Sequence, residues 1–271
     1  MPPVAAIAFD MDDTMLRDDR TLSPLTLAVL RKAASLGIRV IPASGRARDS
    51  IRPFVEELGC VSCYIACNGA EIWSPAHALL RQFLFPDETA RRIVAFAREN
   101  GCYAQTYAGE HFFFNEENDF AAAYAAASML TGFHTPDLEG FIAAHPTGKI
   151  LMMDDEAKIA RMLADARERF AGEAAVTCSK PYFLEFNPPE ATKGNALAAC
   201  GAMLGFDPAQ AVAFGDSLND LTMLRTAGIG VAVANAREDV RARAAYGCGA
   251  NQEDGPARFL IDLLDLKEVA P

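Results

Sequence analysis

Residues Val4 to Phe9 form a short, unbroken apolar run carrying β-branched residues, and the run stops abruptly at Asp10, Asp12 and Asp13. With no polar alternation it has no solvated face, so it fits a strand buried on both sides within a parallel sheet. Parallel neighbours need crossover connections, and the next residues supply them. Ser23-Pro24 combines an N-cap with proline at the first helical position, and the periodic segment after it reaches Leu36 and ends at Gly37. Ile38 to Pro42 reads as a second buried strand, Arg46 to Leu58 as a helix closed by Gly59, and Val61 to Ala66 as a third strand. Such alternation predicts right-handed βαβ units.

From about Arg81 the rhythm changes. A helix from Pro86 to Asn100 is followed by strand-like pieces at Cys102 to Tyr107 and Glu110 to Phe114 and an alanine-rich helix around Phe120 to Leu130. Lys149 to Met153 reads as a strand, Glu156 to Phe170 as a helix, and Ala174 to Cys178 with Tyr182 to Phe186 as a hairpin. The first rhythm resumes with a helix from Thr192, a strand at Ala211 to Phe214, a helix from Leu218 and a strand at Gly230 to Val233. The 271 residues therefore predict an α/β fold: a doubly wound, Rossmann-like parallel-sheet core in two pieces, 1–82 and 186–271, interrupted by an α+β unit at 83–185.

Charge narrows the partners. The formal net charge is −11 with a pI near 4.9, which argues against a protein that tracks nucleic acid or anionic membranes by charge. No apolar stretch approaches the ~18 residues that a spanning helix needs, and the Met-Pro-Pro start has no basic segment of the secretory kind. Seven cysteines in a chain long enough to need no staples fit a reducing compartment, so the expected location is the cytoplasm. No heptad specifies an oligomer.

In open parallel sheets ligands sit beyond the carboxyl ends of the strands. Four segments fall there: Asp10-Met11-Asp12-Asp13-Thr14, Ser44-Gly45-Arg46, Asn68-Gly69-Ala70 and Gly215-Asp216-Ser217-Leu218-Asn219-Asp220. Singly, each has the composition of an ordinary turn. Asp10 and Asp12 together are different, because a turn needs one capping carboxylate and like charges repel by roughly 1 to 4 kcal/mol at ~4 Å. Asp216 and Asp220 bring the cleft to a formal charge of about −4, which a hard divalent cation with oxygen ligands would offset; Mg²⁺ fits this donor set best. Lys193, at a helix start after Thr192, is placed to help. These groups support nucleophilic catalysis: Asp10 attacks phosphorus, Asp12 protonates the departing alkoxide and then activates water, and Mg²⁺ with Lys193 and Ser44 holds the phosphoryl oxygens.

The same residues resemble the haloacid dehalogenase superfamily of phosphatases, in particular its Cof-type subclass with a large α/β cap between the second and third motifs. Asp10-Met-Asp12-Asp-Thr14 resembles the first motif, Pro42-Ala-Ser44-Gly45-Arg46 the second, Ala191-Thr-Lys193-Gly194 the third and Gly215-Asp216-Ser217-Leu-Asn219-Asp220 the fourth. Ala66-Cys-Asn68-Gly69-Ala70, Ala234-Asn235-Ala236 and Asp254-Gly255 add lesser similarities. The resemblance implies that Asp10 is nucleophile and metal ligand, that Asp12 is acid/base and a ligand through its backbone carbonyl, and that Asp216 completes the ligand set. It implies that Ser44, Lys193, Asn219 and the backbone N–H groups of Met11 and Gly45 bind the phosphoryl group, that Asn68 and Arg46 line the site, and that Asp220, Ser217 and Thr14 support it from behind. Asp13 stands where many relatives have glycine.

Other chemistries find less support. Cys60, Cys63 and Cys67 lack a fourth ligand for a closed zinc site, and read as small core residues. Phe112-Phe113-Phe114 reads as core of the inserted unit rather than a stacking platform. His77, His111, His134 and His145 fall outside the motifs, and no Walker-type sequence occurs. The expected activity is hydrolysis of a small phosphomonoester (sugar phosphate, nucleotide or cofactor phosphate). A phosphomutase of the phosphomannomutase type and a non-catalytic phospho-ligand sensor stay open beside it.

Overall fold

A computed structural model describes residues 4–269; residues 1–3 and 270–271, at the outer ends of the two expected core pieces, lie outside the described residues. Five parallel strands lie in the order Tyr246–Gly247, Ile229–Ala232, Ala211–Gly215, Ala6–Phe9, Arg39–Pro42. All four residues of Ala6–Phe9 are completely buried. Ile7 and Phe9 pack on one side with Val29, Leu30 and Leu260, while Ala6 and Ala8 pack on the other with Leu197 and Cys200. The unbroken apolar run is thus explained by helices on both faces: Pro24–Ser35, Arg48–Leu58 and Gly255–Leu264 on one, Lys193–Leu204 and Leu221–Thr226 on the other. Ser23 caps the first helix by accepting from the Thr26 N–H at 2.9 Å.

Some expected bounds shift for local reasons. The helix expected from Arg46 starts at Arg48, because Ala47 is extended (φ −70°, ψ 158°) and the Arg46 side chain is drawn toward the cleft. The third strand shortens to Tyr64–Ala66. It joins the core through a parallel Ala43–Ile65 bridge and also opens an antiparallel sheet with Glu71–Trp73 and Leu79–Gln82. Leu79–Gln82 is exposed throughout and has no burial pattern to betray it in sequence.

The inserted unit is built on a second sheet, in the order Ala175–Thr177, Phe183–Asn187, Ile150–Met153, Tyr103–Ala108, His111–Phe114, Thr131–His134. Its two faces are chemically distinct. Ile150 and Met152 pack beneath the helices Asp87–Glu99, Leu138–Ala144 and Glu156–Arg169, whereas Leu151 and Met153 face the core together with Tyr103, Phe112 and Phe114. Phe113 packs on the helical side, so the phenylalanine run is core on both faces. The Asp119–Ser128 helix closes over the core-facing side. The strand Phe183–Asn187 runs across position 185 and carries the chain back to the core.

Gly69 marks a tight junction between two of the strand-end loops. Its φ is +109°, and a Cβ there would lie 2.4 Å from the Thr192 carbonyl oxygen, just before the Lys193–Leu204 helix. Gly69→Ala is expected to destabilise the protein by about 2 kcal/mol or more, lowering Tm by roughly 4 °C or more. Thermal unfolding followed by circular dichroism checks this; an unchanged Tm would mean that the two loops separate freely.

Candidate active site

The strands Ala6–Phe9 and Ala211–Gly215 run side by side, so Asp10 and Asp216 leave the sheet as neighbours. The Asp10 N–H still donates to the Phe214 carbonyl at 3.0 Å, extending the strand ladder to the first functional residue. The chain then makes one irregular turn, Met11–Met15, with Asp13 at φ 59°, the left-handed region that glycine occupies without strain. Met11 buries its side chain in the core, which leaves its backbone at the rim.

Lys193 fills the centre of the site. Its Nζ donates to Asp10 Oδ1 and, at 2.6 Å, to Asp220 Oδ1, and the residue has no exposed surface. The cap that starts its helix is Thr192, whose Oγ1 accepts from the Asn195 N–H at 3.1 Å. Asp220 turns its other oxygen to the N–H groups of Asp216 and Ser217, 3.0 Å each, and so shapes the loop that carries Asp216. Asp216 is oriented by the Thr14 hydroxyl at 2.8 Å and the Ser217 hydroxyl at 2.6 Å.

Among the described residues, Asp10, Asp216 and Asp220 form a group whose carboxylate oxygens lie within 4.8 Å of one another. Three carboxylates against the Lys193 ammonium leave a formal charge of about −2, the charge a divalent cation would offset. Burial, opposed by Lys193 and reinforced by Asp220 and Asp216, pushes the Asp10 carboxyl well above its usual range. Burial and then Asp220 push Asp216 up to about 6. Both oxygens of Asp220 are engaged by donors, whereas Asp10 Oδ2 and one lone pair on each Asp216 oxygen remain open. The donor set is hard oxygen throughout, and Asn219 Oδ1 is a buried acceptor with no partner. The residues fit a hard divalent ion held by Asp10 and Asp216.

Asp12 is turned the other way. Its carboxylate accepts from Arg46 Nε at 2.8 Å and Nη2 at 2.7 Å. Burial would raise its pKa, but these bonds and the Arg46 charge outweigh it and hold the carboxyl below its usual range. Only the Asp12 backbone is left for the carboxylate group. Ser44 accepts the Arg46 N–H at 3.1 Å and is itself buried, as is Asn68, whose amide oxygen accepts from Asn219 Nδ2 at 2.9 Å. Of the expected site residues, Asp10, Asp12, Gly45, Arg46, Asp216, Ser217 and Asn219 line a cavity of about 460 Å³ between core and inserted unit. Met11, Thr14, Ser44, Asn68, Lys193 and Asp220 stand behind that surface.

Sequence reasoning missed the side chains that the inserted unit contributes. Lys149 Nζ donates to Glu185 Oε1 and to the Gly45 carbonyl oxygen, both at 2.6 Å, and the ion pair is almost wholly inaccessible. Glu185 Oε1 also accepts from Asn68 Nδ2 at 3.2 Å, which links the pair to Asn219. Burial would raise the pKa of Glu185, yet Lys149 holds it low; burial would lower that of Lys149, yet Glu185 holds it high. A charge flanking or interrupting an apolar strand was the available signal. Lys180 and Arg20 also border the cavity, and the Ser179 carbonyl oxygen lies 3.2 Å from the Ser217 hydroxyl. Asn235 and Asp254 brace the first loop from behind: Asn235 Nδ2 donates to the Asp13 carbonyl at 2.6 Å, and Asp254 pairs with Arg17 at 2.9 Å.

Removing one partner of the buried pair leaves an uncompensated charge in the interior. Glu185→Leu and Lys149→Met are each expected to lower unfolding stability by about 3 to 5 kcal/mol in urea titrations, whereas the double variant recovers most of the loss. Additive losses would show that the two charges do not depend on each other.

The chain is similar to known proteins along nearly its whole length. The chain is 28% identical over 258 residues to a 5-amino-6-(5-phospho-D-ribitylamino)uracil phosphatase of Bacillus subtilis, covering 95% of this chain and 94% of that one. It is 30% identical over 234 residues to the HMP-PP phosphatase of Serratia proteamaculans, covering 84% and 83%. A solved haloacid dehalogenase-like hydrolase from B. subtilis superposes with a TM-score of 0.87 at 26% identity, over 96% of this chain and 99% of that one. With residues 7–260 matching the family as a whole, the chain belongs to the haloacid dehalogenase-like hydrolases.

Proposed function

We propose that this protein is a magnesium-dependent phosphatase of small phosphomonoesters that works through an aspartyl-phosphate on Asp10. The observation that carries the reading is the Lys193 ammonium between Asp10 and Asp220, with Asp216 within 4.8 Å, at the point where the strand-end loops meet. The relatives named above act, by their names, on small phosphorylated molecules. Magnesium, when bound at Asp10 and Asp216, supplies positive charge against the carboxylates and the phosphoryl group.

This chain's own groups do the rest. Asp10 is the attacking carboxylate, with Lys193 bonded to its Oδ1. The Asp10–phosphorus bond forms as the phosphorus–alkoxide bond breaks, and Asp12 donates the proton that the alkoxide takes. Water then attacks phosphorus, gives its proton to Asp12, and the bond to Asp10 breaks. Because Arg46 holds Asp12 ionised, that pair must open and Asp12 must take a proton from solvent before it can donate one, and an incoming phosphoryl dianion competes for the same guanidinium. Ser44, Lys193, Asn219 and the N–H groups of Met11 and Gly45 are assigned to the phosphoryl oxygens, with Asn68 and Arg46 lining the site and Asp220, Ser217 and Thr14 holding the ligands in place. The core pieces 1–82 and 186–271 carry the chemistry, and the 83–185 unit acts as the cap. The chain's seven free thiols suit a reducing compartment, the cytoplasm.

Phosphate release from a panel of small phosphomonoesters is expected to require Mg²⁺ and to stop with EDTA. Asp10→Asn is expected to lower kcat/KM at least about a thousandfold, and Asp12→Asn about 10² to 10⁴-fold. Turnover of folded Asp10→Asn near the native rate would overturn the assignment. Isomer formed from a hexose 1-phosphate without free phosphate would identify a mutase instead.

A further inference from the structure

The inserted unit reaches the core through a buried ion pair whose hydrogen-bonding capacity is largely used up. Lys149 Nζ donates to Glu185 Oε1 and to the Gly45 carbonyl oxygen, and the Tyr107 ring centroid lies 5.9 Å from it. Glu185 Oε1 accepts from Lys149 and from Asn68 Nδ2, and Oε2 accepts from the Ser179 N–H at 3.2 Å. Both residues border the cavity, yet their side chains are only 3% and 2% exposed. A paired ammonium and a carboxylate with both oxygens occupied have little to offer a substrate directly. On the core side, however, each bond ends one step short of a group assigned to the phosphoryl oxygens.

The first connection runs through one peptide unit. The Gly45 carbonyl and the Arg46 N–H belong to the same planar trans peptide and point in opposite directions. With Lys149 holding the oxygen at 2.6 Å, the N–H is turned to Ser44 Oγ at 3.1 Å. Ser44 Oγ accepts that bond, and its own hydrogen, which has no acceptor among the described residues, is left for an incoming oxygen. The second connection runs through three amides. Asn187 Nδ2 faces two carbonyl oxygens, those of Cys67 at 2.9 Å and Gly148 at 2.7 Å, which settles its orientation and presents its Oδ1 to Asn68 Nδ2 at 3.1 Å. Asn68 Nδ2 therefore has two acceptors, Asn187 and Glu185, and its Oδ1 is turned to Asn219 Nδ2 at 2.9 Å. One N–H of Asn219 is taken in this way; the other, on a residue that lines the cavity, has no acceptor among the described residues. Reversing Asn68 would set its oxygen against a carboxylate and its N–H groups against those of Asn219.

We propose, resting on the phosphatase reading above, that Lys149 and Glu185 are positioning residues for phosphoryl transfer: through Gly45 and Asn68 they aim the free donors of Ser44 and Asn219 at the phosphoryl group. The grip on that group is complete only with the inserted unit seated, so the unit helps to build the phosphoryl site as well as to cover it.

The test uses the full chain with Mg²⁺, following nitrophenolate released from p-nitrophenyl phosphate and its competitive inhibition by inorganic phosphate, with circular dichroism to confirm the fold. Lys149→Met/Glu185→Leu removes both charges together, which spares the interior a lone charge. It is expected to lower kcat/KM and to raise the inhibition constant of phosphate, each at least about tenfold. Lys149→Met/Glu185→Gln returns an oxygen for Asn68 but nothing for Gly45, and is expected to fall between, at about threefold. A pair that serves stability alone would leave both constants native in each folded double variant, and that result would overturn the proposal. Equal losses in the two would overturn it as well, because Glu185 would then aim nothing. Should the leucine variant fail to fold, native constants in the glutamine variant decide against the proposal and a loss decides for it. No release by the native chain from this or any ester of a wider panel would instead sink the phosphatase reading itself.

Discussion

A buried ammonium holds this site together. Lys193 has no contact with solvent and would be prohibitively unfavourable there without carboxylates at hydrogen-bond range; Asp10 and Asp220 would repel each other without it. Each side makes the other's burial possible. The dependence reaches outward, because Asp220 also anchors the N–H groups of Asp216 and Ser217, and Thr192, which starts the lysine's helix, presses its carbonyl against Gly69. Four loops that are far apart in sequence are therefore fixed around one charge.

The inserted unit is tied to the same centre by different chemistry. Lys149 reaches out of the second sheet to the carbonyl of Gly45, and Glu185 reaches the amide of Asn68. A Cβ on Gly45 would meet Asn68 Oδ1 at 2.8 Å, so the loop that presents Gly45 is packed against the network it joins. Charge is concentrated on the core side of the cavity and apolar surface on the other.

The core and its acidic rim were legible because both come from one rule: strands buried on two faces have no polar residue until they end, and the residues just past that end are exposed to ligands. Asp10, Ser44 and Asp216 could be picked out by that position alone. Lys193 could be placed at a helix start, but nothing local showed that it turns inward. The Arg46–Asp12 pair was hidden because it joins two loops, and it moved the helix start from Arg46 to Arg48. Lys149 and Glu185 looked like ordinary polar flanks of strands, since a charge reads the same in sequence whether it meets water or a buried partner. Thr131–His134 and Leu79–Gln82, short and mostly exposed, carried no periodic signal at all.

The order of the strands also bears on how the chain comes into being. Ala6–Phe9 pairs on one side with Arg39–Pro42, made soon afterwards, and on the other with Ala211–Gly215, made last but for the end strands. Thr14 and Asp216 are 202 residues apart, so at ribosomal speed roughly 10 to 40 s pass before the second edge is covered. During that time a nascent chain presents a wholly apolar strand with one open hydrogen-bonding edge, next to Asp10, which has not yet met Lys193, and to the exposed Asp13. Those unneutralised carboxylates are like charges at the mouth of an otherwise adhesive edge, and they oppose its pairing with another copy until the chain's own last third arrives.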